Sequence, residues 1–526
     1  MLKLTRIALP LLTLGLFACG GGGGGNGGAL STDPTDYHAG TFKASSTLEN
    51  QCASPRTGND PNGHPWPDVQ GSAQAEKMWL RSWTHELYLW YSEVPDLDPV
   101  TYTVPDYFDV LKTTATTASG HPKDKFHFTY PTDQWIALSQ SGVTAGYGLQ
   151  FSVISSTPPR NIVVAYVDPG ASSPADAAGI ARGWKVLTVD GVDIDDGTQS
   201  GVDTLNAGLS PAAVGEQHSF SFRDLAGNTH SVSMTTANVT STPVQHVQTI
   251  STVSGPVGYM LFNDHIATAE SELVDAIQTL KNDGIQDLIL DIRYNGGGYL
   301  AIASELAYMI AGPASNGKTF ELTQFNDQHP TTDPVTGKTI EPVPFLNTSQ
   351  DFSVPSGQSL PSLSLTRVFV LTGPDTCSAS EAIINSLRGI NVQVIQIGST
   401  TCGKPYGFYP ADNCGTTYFS IQFRGVNDQG FGDYPDGFTP ANSTTAASVS
   451  LPGCSVADDF THALGDENEG RLAQALNYRL TSSCSVPASG VTRPQIQSVR
   501  AADLSAVDGR IRKSPWHENR ILRPVR

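Results

Sequence analysis

Three short apolar runs constrain this chain most: "DLILDIR" (287–293), "TRVFVLTG" (366–373) and "VQVIQIG" (392–398). Each is too short for a helix and nearly free of the polar alternation that a half-exposed strand shows, as in strands covered on both faces of a parallel sheet. Amphipathic segments lie around them. In "TAESELVDAIQTLKNDG", Leu273, Ala276, Ile277 and Leu280 share one helical face and Gly284 stops the helix. "PDTCSASEAIINSLRG" predicts a helix from Ser378 or Ser380 to Gly389, and "EGRLAQALNYRL" (469–480) predicts a last one. Strand and helix alternating in this way define an α/β layered core.

The 526 residues are enough for two to four domains. Upstream, Ala75, Met78, Trp79, Trp83, Leu87 and Trp90 recur at helical spacing and "PDYFDVLKTTATT" (105–117) predicts a second helix, so a small helical domain is expected over 71–139. Between it and the core, "GYGLQFSVI" (146–154) and "NIVVAYVDPGASSPADAAGIARGWKVLTVDGVDI" (161–194) predict a compact β-rich module with a short helix at Ser173–Ala178. The fold class expected is thus α/β (α+β multidomain).

A formal net charge of −19 argues against a nucleic-acid partner, which would need clustered Lys and Arg. At the N-terminus Lys3 and Arg6 precede an apolar run from Ile7 to Ala18 and then Cys19, a secretory signal too short to span a bilayer. Leu16-Phe17-Ala18-Cys19 resembles the bacterial lipobox. That resemblance implies a signal peptide over 1–18, lipidation at Cys19, and, with Gly20 following, an exported lipoprotein of the outer membrane. Residues 19–70 read as a glycine-rich tether and loop. Six cysteines remain, an even number that predicts three disulfides in an exported protein; Cys402 with Cys414, and Cys454 with Cys484, are the sequence-local pairings. No metal-ligand spacing occurs, and no metal or other cofactor is expected.

Serine needs a base and oxyanion donors before it can act as a nucleophile. Ser378 follows a strand at the mouth of a helix, where the Ala379 amide points outward. "YNGGG" offers Gly296 and Gly297 as sources of a second amide, and Lys404 in "CGKPYGF" follows the third strand as a candidate base. Taken singly, each has a plainer reading as a helix cap, a turn or a solvated lysine.

Together, "DIRYNGGG", "SASEA" and "GSTTCGKPYGF", placed after "GYGLQF", "SPADAAGI" and "VDG", resemble the C-terminal processing peptidases, or tail-specific proteases, over roughly residues 75–480. The resemblance implies a PDZ-like peptide-binding domain over 140–240, whose loop Gly146, Tyr147, Gly148 and Leu149 holds a peptide carboxylate. It also implies a crotonase/ClpP-like serine peptidase core over 245–484. In that core Ser378 is the nucleophile, Lys404 the general base, and Ala379 with Gly296 or Gly297 the oxyanion hole. Ser380 and Glu381 are assigned to capping, and Asp291 and Arg293 to support of the glycine loop. Polypeptide is the substrate expected, with the membrane reached through the lipid at Cys19.

Two positions depart from the family pattern: Trp184 stands where aspartate is usual, and Phe408 where many members have a glutamine supporting the lysine. Cys377 and Cys402 flank the two catalytic segments, where a disulfide could fix the site. The rival expectation is a non-catalytic peptide-binding lipoprotein, and a binder of small apolar ligands is a third. Within the enzyme reading, His265 is the alternative base. No motif is read in the tail 485–526.

Overall fold

A computed structural model describes residues 35–443, 448–485 and 519–522. The signal segment, Cys19 and the glycine tether lie outside the described residues. Among the described residues, no helix is long and apolar enough to cross a membrane.

The β-rich module is an antiparallel sheet of β1 (Leu149–Ser155), β2 (Asn161–Val167), β3 (Lys185–Val189), β4 (Gln217–Arg223) and β5 (Thr229–Thr235), in the order β5-β4-β3-β2-β1. Ile162, Val164, Val186, Phe220 and Phe222 alternate inward to make its core. A short helix, Pro174–Ala177, is capped by Ser173, whose hydroxyl accepts from the Asp176 amide. Because β1 is the outermost strand of the path, the module presents an edge directly after the Gly146–Leu149 loop.

The core sheet has six strands: β6 (Val244–Ile250), β7 (Val257–Phe262), β8 (Asp287–Asp291), β10 (Arg367–Thr372), β11 (Gln393–Gly398) and β13 (Gly453–Ser455), in that spatial order. Only β6 runs antiparallel to its neighbour. Its faces explain the unbroken apolar runs. On one side Met260, Leu288, Leu290, Val368 and Val370 pack against the helices Ala269–Asn282, Leu300–Ala311 and Ala379–Gly389. On the other, Tyr259, Ile289, Phe369 and Ile395 meet Leu472 and Ala475 of the helix Gly470–Thr481. Cutting a buried Ile383 or Leu306 to alanine in such a core costs about 2–5 kcal/mol. The expected α/β layering is therefore present.

The helical segment before the module packs on the loops and short strands that flank these layers, sharing clusters with Cys377, Cys402, Phe408, Tyr418 and Phe419. The helix Ala73–Leu87 is capped by Ser72, and the second helix is shorter than its pattern, Val104–Val110. The following strand, Phe128–Pro131, pairs with β12 (Thr416–Phe419) of the core, and Trp79 and Trp83 pack on Tyr418.

Among the described residues three disulfides form: Cys52–Cys414, Cys377–Cys402 and Cys454–Cys484. The Cys402–Cys414 pairing expected from sequence proximity is overturned. Cys414 instead joins Cys52, 362 positions away, because the segment that begins the described chain lies against the Ala411–Asn413 strand.

Candidate active site

β10 ends at Thr372 and the chain enters α-helix Ala379–Gly389 through a tight turn that carries Ser378. Ser378 adopts φ 59°, ψ −111°, a conformation costly for a residue with a Cβ, held here by its surroundings. The Thr376 hydroxyl donates to the Ile292 carbonyl (2.8 Å), and the Asn295 carbonyl accepts from the Cys377 amide (3.1 Å) and the Ser380 hydroxyl (3.0 Å). The serine turn is thus docked on the loop leaving β8. Ser380, expected as a capping residue, instead makes this cross-loop bond.

Glu381 does more than support the helix. Its carboxylate reaches back to the Ser378 amide (3.0 Å), and also accepts from the amides of Gly403 (2.9 Å) and Lys404 (2.8 Å) and from the Thr401 hydroxyl. One buried carboxylate therefore fixes the start of the helix and the lysine loop together. Burial pushes its pKa up, and these four hydrogen bonds oppose that rise. The Cys377–Cys402 disulfide joins the same two segments covalently. Its sulfurs lie near Glu381, but joined to each other they offer no thiolate to a metal.

Lys404 is wholly buried, with Nζ 4.5 Å from the Phe126 ring centre and 4.9 Å from that of Phe408. Phe408, in the place of the usual glutamine, thus lines the lysine with an aromatic face. Phe126 comes from the segment before the module, and nothing in its local sequence marks it as part of a site.

The glycine loop is built from behind. Asn295 Nδ2 donates to the Phe262 carbonyl, which makes Oδ1 the acceptor for the Gly297 amide (2.9 Å) and for Nδ1–H of His265 (2.9 Å). The Gly297 amide is therefore already committed, leaving Gly296 as the glycine to consider for an oxyanion hole beside Ala379. β9 (Gly297–Tyr299) then runs past His265, whose carbonyl accepts from Tyr299 (2.9 Å). A Cβ at Gly298, φ 138°, would fall 2.5 Å from that carbonyl oxygen. His265 is completely buried, and desolvation pushes its pKa down to about 3. Its place behind the glycine loop is that of a positioning residue rather than the alternative base.

Asp291 and Arg293 sit deeper. Arg293 Nε donates to Asp291 (2.9 Å), and its guanidinium also binds Asp458 (2.8 Å) and Glu469 (2.8 and 2.9 Å). Asp458 also accepts from the Tyr294 hydroxyl and from Arg182 of the module (2.6 Å), and Arg182 donates to the Tyr294 hydroxyl (2.6 Å). The module is thereby tied to the residue next to Asn295.

In the module's loop, Gly148 has φ 73° and lies against Ser173, whose hydroxyl is 3.2 Å from the Gly148 carbonyl. Tyr147 turns inward: its ring is buried and its hydroxyl donates to the Gly208 carbonyl (3.0 Å). Only its backbone can serve a ligand. Gly146 closes the preceding strand against Ala237, and Leu149 begins β1. Trp184 stacks on His230 and packs in the module's core.

The fold and this arrangement define a layered α/β core with a strained serine at a helix start and a buried lysine on a loop pinned to that start by Glu381. Residues 256–407 match the model of Peptidase family S41, so the core carries a domain of that family. The carboxyl-terminal-processing protease of Picosynechococcus is 30% identical over 180 residues, covering 33% of this chain and 40% of that protein. The enzyme of the same name from Synechocystis is 27% identical over 179 residues, covering 33% and 39%. The match thus spans about two fifths of these curated relatives. The crystal structure of a putative S41 protease from Bacteroides fragilis superposes with a TM-score of 0.56 at 21% identity, over 80% of this chain and all of that one, which supports the fold.

Proposed function

We propose that the protein is a serine endopeptidase that hydrolyses unfolded or C-terminal polypeptide segments through Ser378 and Lys404. The observation that carries this is Glu381, which binds the Ser378 and Lys404 amides on one oxygen and so holds the two segments in fixed relation. Ser378 Oγ attacks the scissile carbonyl as Lys404 takes its proton; the lysine then returns that proton to the leaving amine, and water releases the acyl group. Complete burial is the setting in which a lysine amine can serve as a base. The amides of Ala379 and Gly296 would hold the oxyanion.

Residues 140–240 would act as a PDZ-like domain, with extended peptide adding to the edge of β1 and its carboxylate held by backbone amides of Gly146 to Leu149. Lipidation at Cys19 would anchor the enzyme to the outer membrane. The test is degradation of a permanently unfolded protein by the wild type, Ser378→Ala and Lys404→Ala. Loss in both variants with folding intact supports the dyad. A wild type inert toward every extended chain and toward serine-reactive probes favours the peptide-binding lipoprotein.

A further inference from the structure

The sequence shows no motif after residue 485, yet the structure puts four residues of that tail into the candidate site. β14 (Asn519–Ile521) pairs in parallel with β9, in the register Gly297 with Asn519, Gly298 with Arg520 and Tyr299 with Ile521. On its other side Ile521 bridges Phe408, and the Leu522 amide donates to the Phe408 carbonyl (3.1 Å). The segment is therefore an added strand held between the glycine loop and the chain that follows Lys404. Ile521 is 3% exposed, in a cluster with Phe126, Phe128, Phe408 and the Cys377–Cys402 disulfide. Leu522 packs toward Tyr409 and Phe423.

Phe126 and Phe408 are the two rings that face Lys404, and Cys377 precedes Ser378. In this arrangement Ser378 and Lys404 are both wholly inaccessible to solvent. An acyl donor has to lie as extended chain alongside Ser378 and the glycine loop, and this segment already runs along that loop.

We propose that residues 519–522 are an intramolecular occupant of the substrate groove, holding the enzyme closed, and that the pocket around Ile521 accepts an aliphatic side chain of the polypeptide substrate. This rests on the peptidase reading for its consequence, though not for the binding itself. Residues 486–518 can span roughly 110 Å fully extended, so reach does not limit docking in cis. A tethered segment is present at about 1 mM effective concentration, so one with a dissociation constant of about 0.1 mM lowers the open fraction about tenfold.

The test compares the full chain, Ile521→Asp, and a chain ending at Glu518. Each is assayed for hydrolysis of an unfolded protein, for labelling by a fluorophosphonate, and for binding of a fluorescent peptide of sequence WHENRILRPVR. Truncation and Ile521→Asp should each raise hydrolysis and labelling about tenfold. The peptide should bind the truncated chain but not the full one, and in trans it should inhibit the truncated chain competitively. The same peptide carrying aspartate for the isoleucine should not bind. Equal labelling rates for all three chains, with no peptide binding to the truncated one, would overturn the proposal while leaving the peptidase intact. If no chain hydrolyses or labels, the peptidase reading falls, and peptide binding confined to the truncated chain still upholds occupancy of the groove.

Discussion

Ser378 and Lys404 share one acceptor: Oε2 of Glu381 lies 3.0 Å from the first amide and 2.8 Å from the second. The register of the proposed nucleophile and base is therefore set by a group that need not touch substrate. Glu381→Gln puts an amide nitrogen among donors that need an acceptor. It should cost roughly 3 kcal/mol of stability and lower kcat more than it changes KM. Thermal unfolding and steady-state kinetics on an unfolded substrate check both; unchanged kcat would deny Glu381 this role.

The Cys377–Cys402 bridge closes a loop with a sequence separation of 25 across the same junction. On loop entropy alone, replacing both cysteines by alanine should destabilise the protein by about 3.5 kcal/mol. Activity should fall on reduction in the wild type and respond less to reductant in the double variant, where Cys52–Cys414 and Cys454–Cys484 are the bridges left to reduce. Chemical unfolding with and without dithiothreitol, followed in parallel with activity, tests this.

Three carboxyl groups near the junction of module and core are held above their usual range by burial: Asp168 at about 6, and Asp264 and Glu272 at about 7. A carboxyl with a raised folded-state pKa retains a proton that the unfolded chain releases. Its contribution to stability is thus greatest below about pH 4 and declines as pH rises to about 7. Asp264→Asn removes one such group. The variant should lose less stability between pH 5 and 8 than the wild type, measured by urea unfolding across that range; parallel curves would contradict the assignment.

Arg182 is the module's link to the glycine loop through the Tyr294 hydroxyl and Asp458. Removing it as Arg182→Ala strips a buried guanidinium from Asp458, whose pKa Arg471, Arg293 and Arg182 together hold far down. Hydrolysis of an unfolded protein should drop about tenfold or more while fluorophosphonate labelling of Ser378 changes less if, as proposed, the module delivers substrate. An equal drop in both would place Arg182 in the upkeep of the site itself.

The layered core was legible because burial on both faces leaves a plain sequence mark: "DLILDIR", "TRVFVLTG" and "VQVIQIG" became adjacent parallel strands. The short helix expected at Ser173–Ala178 formed as Pro174–Ala177, with Ser173 as its cap. Long-range partners left no such mark. Cys414 lies twelve positions after Cys402 and pairs with Cys52, Phe126 reaches Lys404 from another segment, and Ile521 enters the site from a tail without periodicity. Glu381 was visible as a capping residue three positions after Ser378, but its bonds to Gly403 and Lys404 depend on the end of β11 lying beside the helix start. The glycine triplet pointed to an amide-lined loop without showing that Asn295 already engages Gly297.

Whether Lys404 activates Ser378 is read from the intact mass of the chain ending at Glu518 after fluorophosphonate treatment, with the adduct located by peptide mapping, in the wild type and in Lys404→Ala. One adduct is expected, on Ser378, formed at least about a hundredfold more slowly without Lys404, in line with general-base catalysis. An adduct elsewhere, or on Ser378 at the same rate without the lysine, would contradict it.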